Sequence, residues 1–205
     1  MITAYTANTP NGVKLTIALA ELGLARGADY TLKILDLGAR EQKQPSFLAV
    51  NPNGRIPAIV HHKEGRDIRV FESGAVLLYL AETFGALLPK APAARIEAIA
   101  WTYFQTGGIG PNMGQAGYAK RQSDTASFER FNAESHRLVS VMEGALAKAD
   151  YLAGDYSIAD IMNFGWLGRA PDYFGFDLTD YPNVRGWLKR IEARPAVKLG
   201  LAVFD

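Results

Sequence analysis

No cysteine occurs among the 205 residues. Disulfides, thiolate metal sites and a protein-borne thiol nucleophile are therefore excluded. Histidine is scarce and occurs only at positions 61, 62 and 136. His61 and His62 are neighbours in a strand-like run, so their side chains point to opposite faces, and no second ligand cluster stands at metal spacing. No metal site is expected. No apolar run approaches the roughly 20 residues of a membrane span. The opening MITAYTANTP lacks a basic region followed by an apolar stretch, so it does not read as a secretory leader. Cytoplasmic residence is the expectation. Charge of one sign is also missing: the formal net charge is +1. Neither nucleic acid nor an anionic membrane is an expected partner.

What is present is a well-cored chain whose two halves differ in pattern. ITAY reads as a strand, and Pro10–Leu22 as a helix closed by Gly23. DYTLKILDL alternates as a strand does. After the polar GAREQKQ comes a short helix around Pro45–Val50. IPAIVHH and RDIRVFE are strand-like and separated by KEGR, a hairpin signal. ESGAVLLYLAETF, residues 72–84, is a strong helix. The order is βαβαββα, a thioredoxin-like arrangement with a right-handed first crossover. GALLPKAPAA, residues 85–94, has the composition of a linker. Beyond it only helical patterns persist, at 95–103 and onward, 127–146, 157–167 and 184–192. The expected architecture is an α/β domain over 1–84, a linker over 85–94 and an all-helical domain over 95–205.

Several stretches carry more polar chemistry than folding requires. TANTPNG, residues 6–12, crowds short polar side chains at the mouth of the first helix, where unpaired N–H groups favour an anion and lower thiol pKa values. Thr9 offers a hydroxyl donor and Asn11 an amide donor. The plainer alternative makes Thr9 a cap and Asn11 a turn residue. Pro57 opens a strand after the sharp turn Asn51–Gly54. A cis Ile56–Pro57 bond would turn the Ile56 N–H and C=O outward toward an extended ligand, and a trans turn is the alternative. Glu72 and Ser73 begin a helix. They either complement its dipole and cap it, or bind the ammonium and carboxylate of one ligand. SIAD, residues 157–160, reads as a capping box with Asp160 in a structural role. GGIGPNMG, residues 107–114, lacks the preceding strand of a nucleotide loop; a kinked helix is expected there, with Tyr103, Gln105, Asn112, Gln115 and Tyr118 facing a cleft or a neighbouring subunit.

NPNGRIPAIV at 51–60, FESGAVLLYLAE at 71–82 and YLAGDYSIADI at 151–161 together resemble the glutathione transferase family. TPNGVK at 9–14, GGIGPNMGQA at 107–116 and ERF at 129–131 are similar to its Nu-class, yeast-prion-like, disulfide-reducing subgroup. The resemblance implies a glutathione transferase fold, glutathione as co-substrate without a metal, a second-substrate pocket on the helical domain, and a homodimer. It assigns Ile56 and cis-Pro57 to the cysteinyl part of glutathione, Glu72 and Ser73 to the γ-glutamyl end, and Gln42 to the glycine-end or carboxylate contact. Arg55, within the first motif, joins the binding set. Arg130 would reach the second glutathione of a disulfide. Thr9 and Asn11 would hold the sulfur, while Tyr5 reads as a packing residue of the strand. The implied reaction is glutathione-dependent reduction of a small disulfide. Conjugation to electrophiles and peroxide reduction are the enzymatic alternatives, and a non-catalytic glutathione-binding module is the alternative of another class.

Overall fold

The computed structural model describes all 205 residues except the side chains of 173 and 174. The chain divides into two compact units, Met1–Leu88 with Arg194–Asp205, and Pro89–Ala193.

In the first unit the elements are β1 (Ile2–Thr6), α1 (Gly12–Glu21), β2 (Tyr30–Ile34), a 3-10 turn (Glu41–Lys43), α2 (Pro45–Leu48), β3 (Ala58–Lys63), β4 (Arg66–Phe71) and α3 (Ser73–Phe84). This is the thioredoxin-like order expected. The four strands lie in the order β2-β1-β3-β4. β1 runs parallel to β2 and antiparallel to β3, and β3 is antiparallel to β4. Lys63 pairs with Arg66 across a two-residue turn whose Gly65 has φ +80°, a conformation that suits glycine and matches the twist of a hairpin. Ile2, Ala4 and Thr6 point inward from β1. α1 is buried from Gly12 to Leu19, including the polar Lys14 and Thr16.

The C-terminal segment corrects the expected boundary. Residues 194–205 belong with the first unit, not with the helical half. α10 (Pro195–Leu201) lies against α1. A Cβ on Gly200 would stand 2.7 Å from the Ile17 Cα, so glycine permits the backbones to meet. Arg194 donates from Nε and Nη2 to the two carboxylate oxygens of Glu21, at 2.6 and 2.8 Å. α10 lies beyond the last helical stretch expected from the sequence, 184–192, and nothing local marks which neighbour it covers.

The second unit comprises α4 (Pro92–Phe104), α5 (Gly110–Arg121), α6 (Thr125–Leu146), α7 (Ile158–Leu167), α8 (Ala170–Phe174) and α9 (Pro182–Glu192). α4 runs into α5 through a π-helical turn, Gln105–Ile109. The glycine-rich stretch therefore carries a π-helical irregularity within a continuous helical path. Trp166 lies against Gly110 and Gly114, which leave room for its indole. Gln105 is buried and Asn112 donates to the Gly108 carbonyl at 2.9 Å, so these two do not supply the open surface expected of them. Asp160 is fully buried and accepts from Leu152 N, Ser157 N and Trp187 Nε1 at 3.1, 3.0 and 2.9 Å. Burial raises its carboxyl pKa, and these bonds oppose the rise. The role is structural, as the capping pattern implied.

Two stability predictions follow from these contacts. Arg194→Ala leaves Glu21 without its bidentate partner and should lower the unfolding free energy by about 1.5–3 kcal/mol, read by urea denaturation. Asp160→Ala strands three buried donors and should cost about 3 kcal/mol or more, while Asp160→Asn, which keeps an acceptor oxygen, should cost less.

Candidate functional site

The site begins where β1 ends. The chain leaves Thr6 and doubles back so closely that a Cβ on Gly12 would collide with the Ala7 carbonyl oxygen. Glycine is required there by contact alone. Thr9 donates its N–H to Ala7 O at 2.8 Å, its carbonyl accepts from Val13 N at 3.1 Å, and its Oγ1 accepts from Gly12 N at 3.1 Å. Thr9 thus caps the turn that leads into α1, whose regular helix runs from Gly12. The capping bond uses a lone pair of the hydroxyl and leaves its proton for another acceptor. Asn11 makes no side-chain cap bond. Its Oδ1 accepts from Lys14 Nζ at 2.8 Å.

A second loop faces this one within the same unit. Asn51 is buried; its Nδ2 donates to Arg55 O at 2.6 Å and its Oδ1 accepts from Asn53 N at 2.9 Å. These bonds close the turn that delivers Arg55, Ile56 and Pro57. The Ile56–Pro57 peptide bond is cis. β3 begins at Ala58, so Ile56 precedes the sheet's own pairing. Asn53 Nδ2 donates to Glu72 Oε1 at 3.1 Å. Glu72 has φ +69° and ψ 124°, a costly backbone conformation for a residue with a Cβ and one concentrated at ligand sites. It positions its carboxylate beside the N-terminus of α3, where Ser73 is the first helical residue.

Asn11, Asn51, Asn53, Arg55, Ile56, Pro57, Glu72 and Ser73 line one cavity of about 330 Å³. Six of the residues singled out in the sequence are therefore brought together. Thr9 does not line the cavity, though it caps the helix that carries Asn11 to it. Gln42 lies in the 3-10 turn, off the lining, with a buried Oε1 that has no hydrogen-bond partner among the described residues. Arg130 stands on α6 in the second unit, exposed, with its guanidinium 5.7 Å from the Phe131 ring.

Lys14, Asn51 and Asn53 were missed as site residues. Lys14 is fully buried, and its Nζ donates to Asn11 Oδ1 and, at 3.4 Å, to Ser73 Oγ. Burial pushes its pKa well below the usual lysine range, and the Glu72 carboxylate pulls it partly back. The available signal was its place in the apolar run GVKLTIAL, one helical turn after Asn11. Among the described residues no three His, Asp or Glu side chains converge as a metal-holding group. The cavity combines donors at Asn11, Arg55, Ser73 and the first turn of α3 with the acceptor Glu72. That arrangement suits a ligand bearing an ammonium, a carboxylate and a further anionic atom.

Comparisons with known proteins agree with this geometry. Residues 2–82 match the glutathione S-transferase N-terminal domain and residues 96–195 the glutathione S-transferase C-terminal domain. Disulfide-bond oxidoreductase YfcG of Escherichia coli is 41% identical over 203 residues, covering 96% of this chain and 92% of its own. A glutathione transferase from Burkholderia graminis, with two glutathione molecules bound per subunit, has a TM-score of 0.90 at 40% identity, covering 98% of this chain and 87% of that one. Another from Pseudomonas putida, with one glutathione disulfide bound per subunit, has a TM-score of 0.91 at 36% identity, covering 98% of this chain and 91% of that one. The chain belongs to the glutathione S-transferase family, among relatives of the Nu-class-like kind that its motifs resemble.

Proposed function

We propose that the protein is a glutathione-dependent disulfide oxidoreductase. The observation that carries this reading is the single cavity in which Asn11, Ile56, Glu72 and Ser73 meet. Glutathione has the matching sequence of groups. Its γ-glutamyl ammonium pairs with Glu72, and its carboxylate takes the Ser73 hydroxyl and the α3 N-terminus. Its cysteinyl backbone pairs with Ile56 beside Pro57, and its sulfur lies at the mouth of α1. Arg55 adds a cation at the rim, and Gln42 serves the glycine end.

The chemistry follows from a cysteine-free polypeptide. The glutathione thiolate attacks one sulfur of a small disulfide; a new S–S bond forms, and the other sulfur leaves as a thiolate. A second glutathione thiolate then attacks the mixed disulfide, giving glutathione disulfide and the second reduced thiol. The electrons come from glutathione alone. The protein's part is to hold the thiolate near ambient pH and aim it. Thr9 O–H, Asn11 Nδ2 and the α1 N-terminus supply that stabilisation. Arg130 serves the second glutathione, in keeping with the relatives that hold two glutathiones or their disulfide. The proposed setting is the cytoplasm; no helix among the described residues is long and apolar enough to cross a membrane. The proposed assembly is a homodimer, for which exposed Phe71 and Phe84 on the first unit and Ile96 and Tyr103 on the second offer apolar surface.

Parallel assays with hydroxyethyl disulfide, chlorodinitrobenzene and cumene hydroperoxide test the reaction class. Disulfide reduction should dominate. A dominant conjugating or peroxidase rate would replace the reading, and glutathione affinity without any turnover would make the protein a binding module. Thr9→Ala should lower kcat about tenfold or more while changing glutathione affinity less, because a bond to developing thiolate charge is the one removed. Thr9→Ser, which keeps hydroxyl and cap, should retain most activity. Glu72→Gln should instead weaken glutathione binding about tenfold, measured by calorimetry.

A further inference from the structure

The bond between Asn53 and Glu72 joins two segments nineteen positions apart at the cavity wall. Asn53 is fixed first by its backbone. Its N–H donates to Oδ1 of the buried Asn51 at 2.9 Å, and its carbonyl accepts from Lys43 Nζ at 3.3 Å. Its side chain then crosses to the other segment, where Nδ2 meets Glu72 Oε1 at 3.1 Å. Glu72 is held by its own backbone too. Its carbonyl accepts from Val76 N at 2.8 Å in the first turn of α3, and its φ of +69° is one that few residues with a Cβ adopt.

Stability does not account for this bond. Asn51 closes the 51–54 turn through Arg55 O and Asn53 N whether or not Asn53 reaches Glu72. Asn53 and Glu72 are both exposed, where water competes for the same groups and the net gain is small. Recognition does account for it. A carboxylate on a flexible stem loses rotamer freedom when it takes a ligand; Asn53 imposes that loss beforehand. The orientation of the amide is set by chemistry, because a carboxylate only accepts and Nδ2 must therefore face it. The bond engages Oε1 and leaves Oε2 to a cation. We infer that Asn53 is a positioning residue for Glu72, and that the pair makes the site selective for γ-glutamyl thiols whose amino group is free, an inference that rests on the proposed glutathione chemistry. A thiol lacking that ammonium leaves the aimed carboxylate covered and uncompensated.

The experiment compares glutathione with glutaryl-cysteinylglycine, the same molecule without its amino group. Affinities are measured by calorimetry on the full-length protein and on its Asn53→Ala, Glu72→Gln and doubly substituted variants. The unmutated protein should bind glutathione about tenfold more tightly than the glutaryl compound. Asn53→Ala should weaken glutathione binding about tenfold and the glutaryl compound about twofold or less. A mere loosening of the loop would instead weaken both compounds equally. In hydroxyethyl disulfide reduction at saturating glutathione, kcat should fall by a smaller factor than the affinity, because Asn53 acts on binding through Glu72 and not on the sulfur. The double variant should bind glutathione as Glu72→Gln does alone. Equal losses for the two compounds, an unchanged glutathione affinity in Asn53→Ala, or multiplicative losses in the double variant would overturn the inference. Should Asn53→Ala fail to fold, Asn53→Ser decides the matter: serine suits the same turn, its shorter side chain does not span to Glu72, and the same selective loss is expected. Failure of the unmutated protein to bind glutathione, or equal affinity for the two compounds, would overturn the functional reading and this inference together. A free-amine preference that survives Asn53→Ala or Asn53→Ser undiminished would overturn this inference alone.

Discussion

Helix α1 is buried along its first eight residues, so the positive end of its dipole is held in one place. The rest of the site is organised around that end. The sheet lies beneath it through β1, α3 packs beside it, and α10 closes against it with Gly200 at Ile17. A helix terminus held this firmly is a fixed dipole, and a fixed dipole stabilises charge without reorganising when charge appears. The close approach of Gly12 to Ala7 sets the loop that brings Thr9 and Asn11 to it.

Around this terminus, polar groups are used twice. Thr9 accepts a capping bond and retains a proton to give. Asn51 closes its own loop and thereby presents Arg55 and Ile56. Asn53 holds Glu72, whose backbone conformation is itself costly. Lys14 lies beneath the cavity with Asn11 and Ser73 as partners. Each arrangement places a donor or acceptor by means of a second bond that does not involve ligand. This is how a protein with no reactive thiol contributes to thiol chemistry: it supplies direction and field, and glutathione supplies the nucleophile and the electrons.

The βαβαββα order was legible because its signals are local. β1 and β2 alternate, KEGR marks a turn, and α3 carries a continuous apolar face. The Asp160 capping box was legible for the same reason, since it involves neighbours in the chain; the cis Ile56–Pro57 bond was legible only through the thioredoxin-like order around it. The glycine-rich stretch 107–114 was legible as an irregular part of a helix, but not that Gly110 and Gly114 make room for Trp166 from α7. Asn51 and Asn53 passed as turn residues. That reading was correct as far as it went; Asn53 also reaches Glu72, nineteen positions away.

The sequence by itself determined the absence of a protein thiol, the two-part pattern of the chain, the elements of the first unit and most residues that line the cavity. The first three follow from composition and short-range periodicity, and the cavity residues from cap and turn signals joined to the family resemblance. Only the tertiary structure decided that residues 194–205 return to the first unit, that Lys14 is buried with Asn11 and Ser73 among its partners, and that Thr9 caps the first helix without lining the cavity. The physical reason is the same in each case. A lysine in an apolar helix and a helix at the end of a chain look alike in sequence whatever they meet, and burial and partnership come from residues far along the chain.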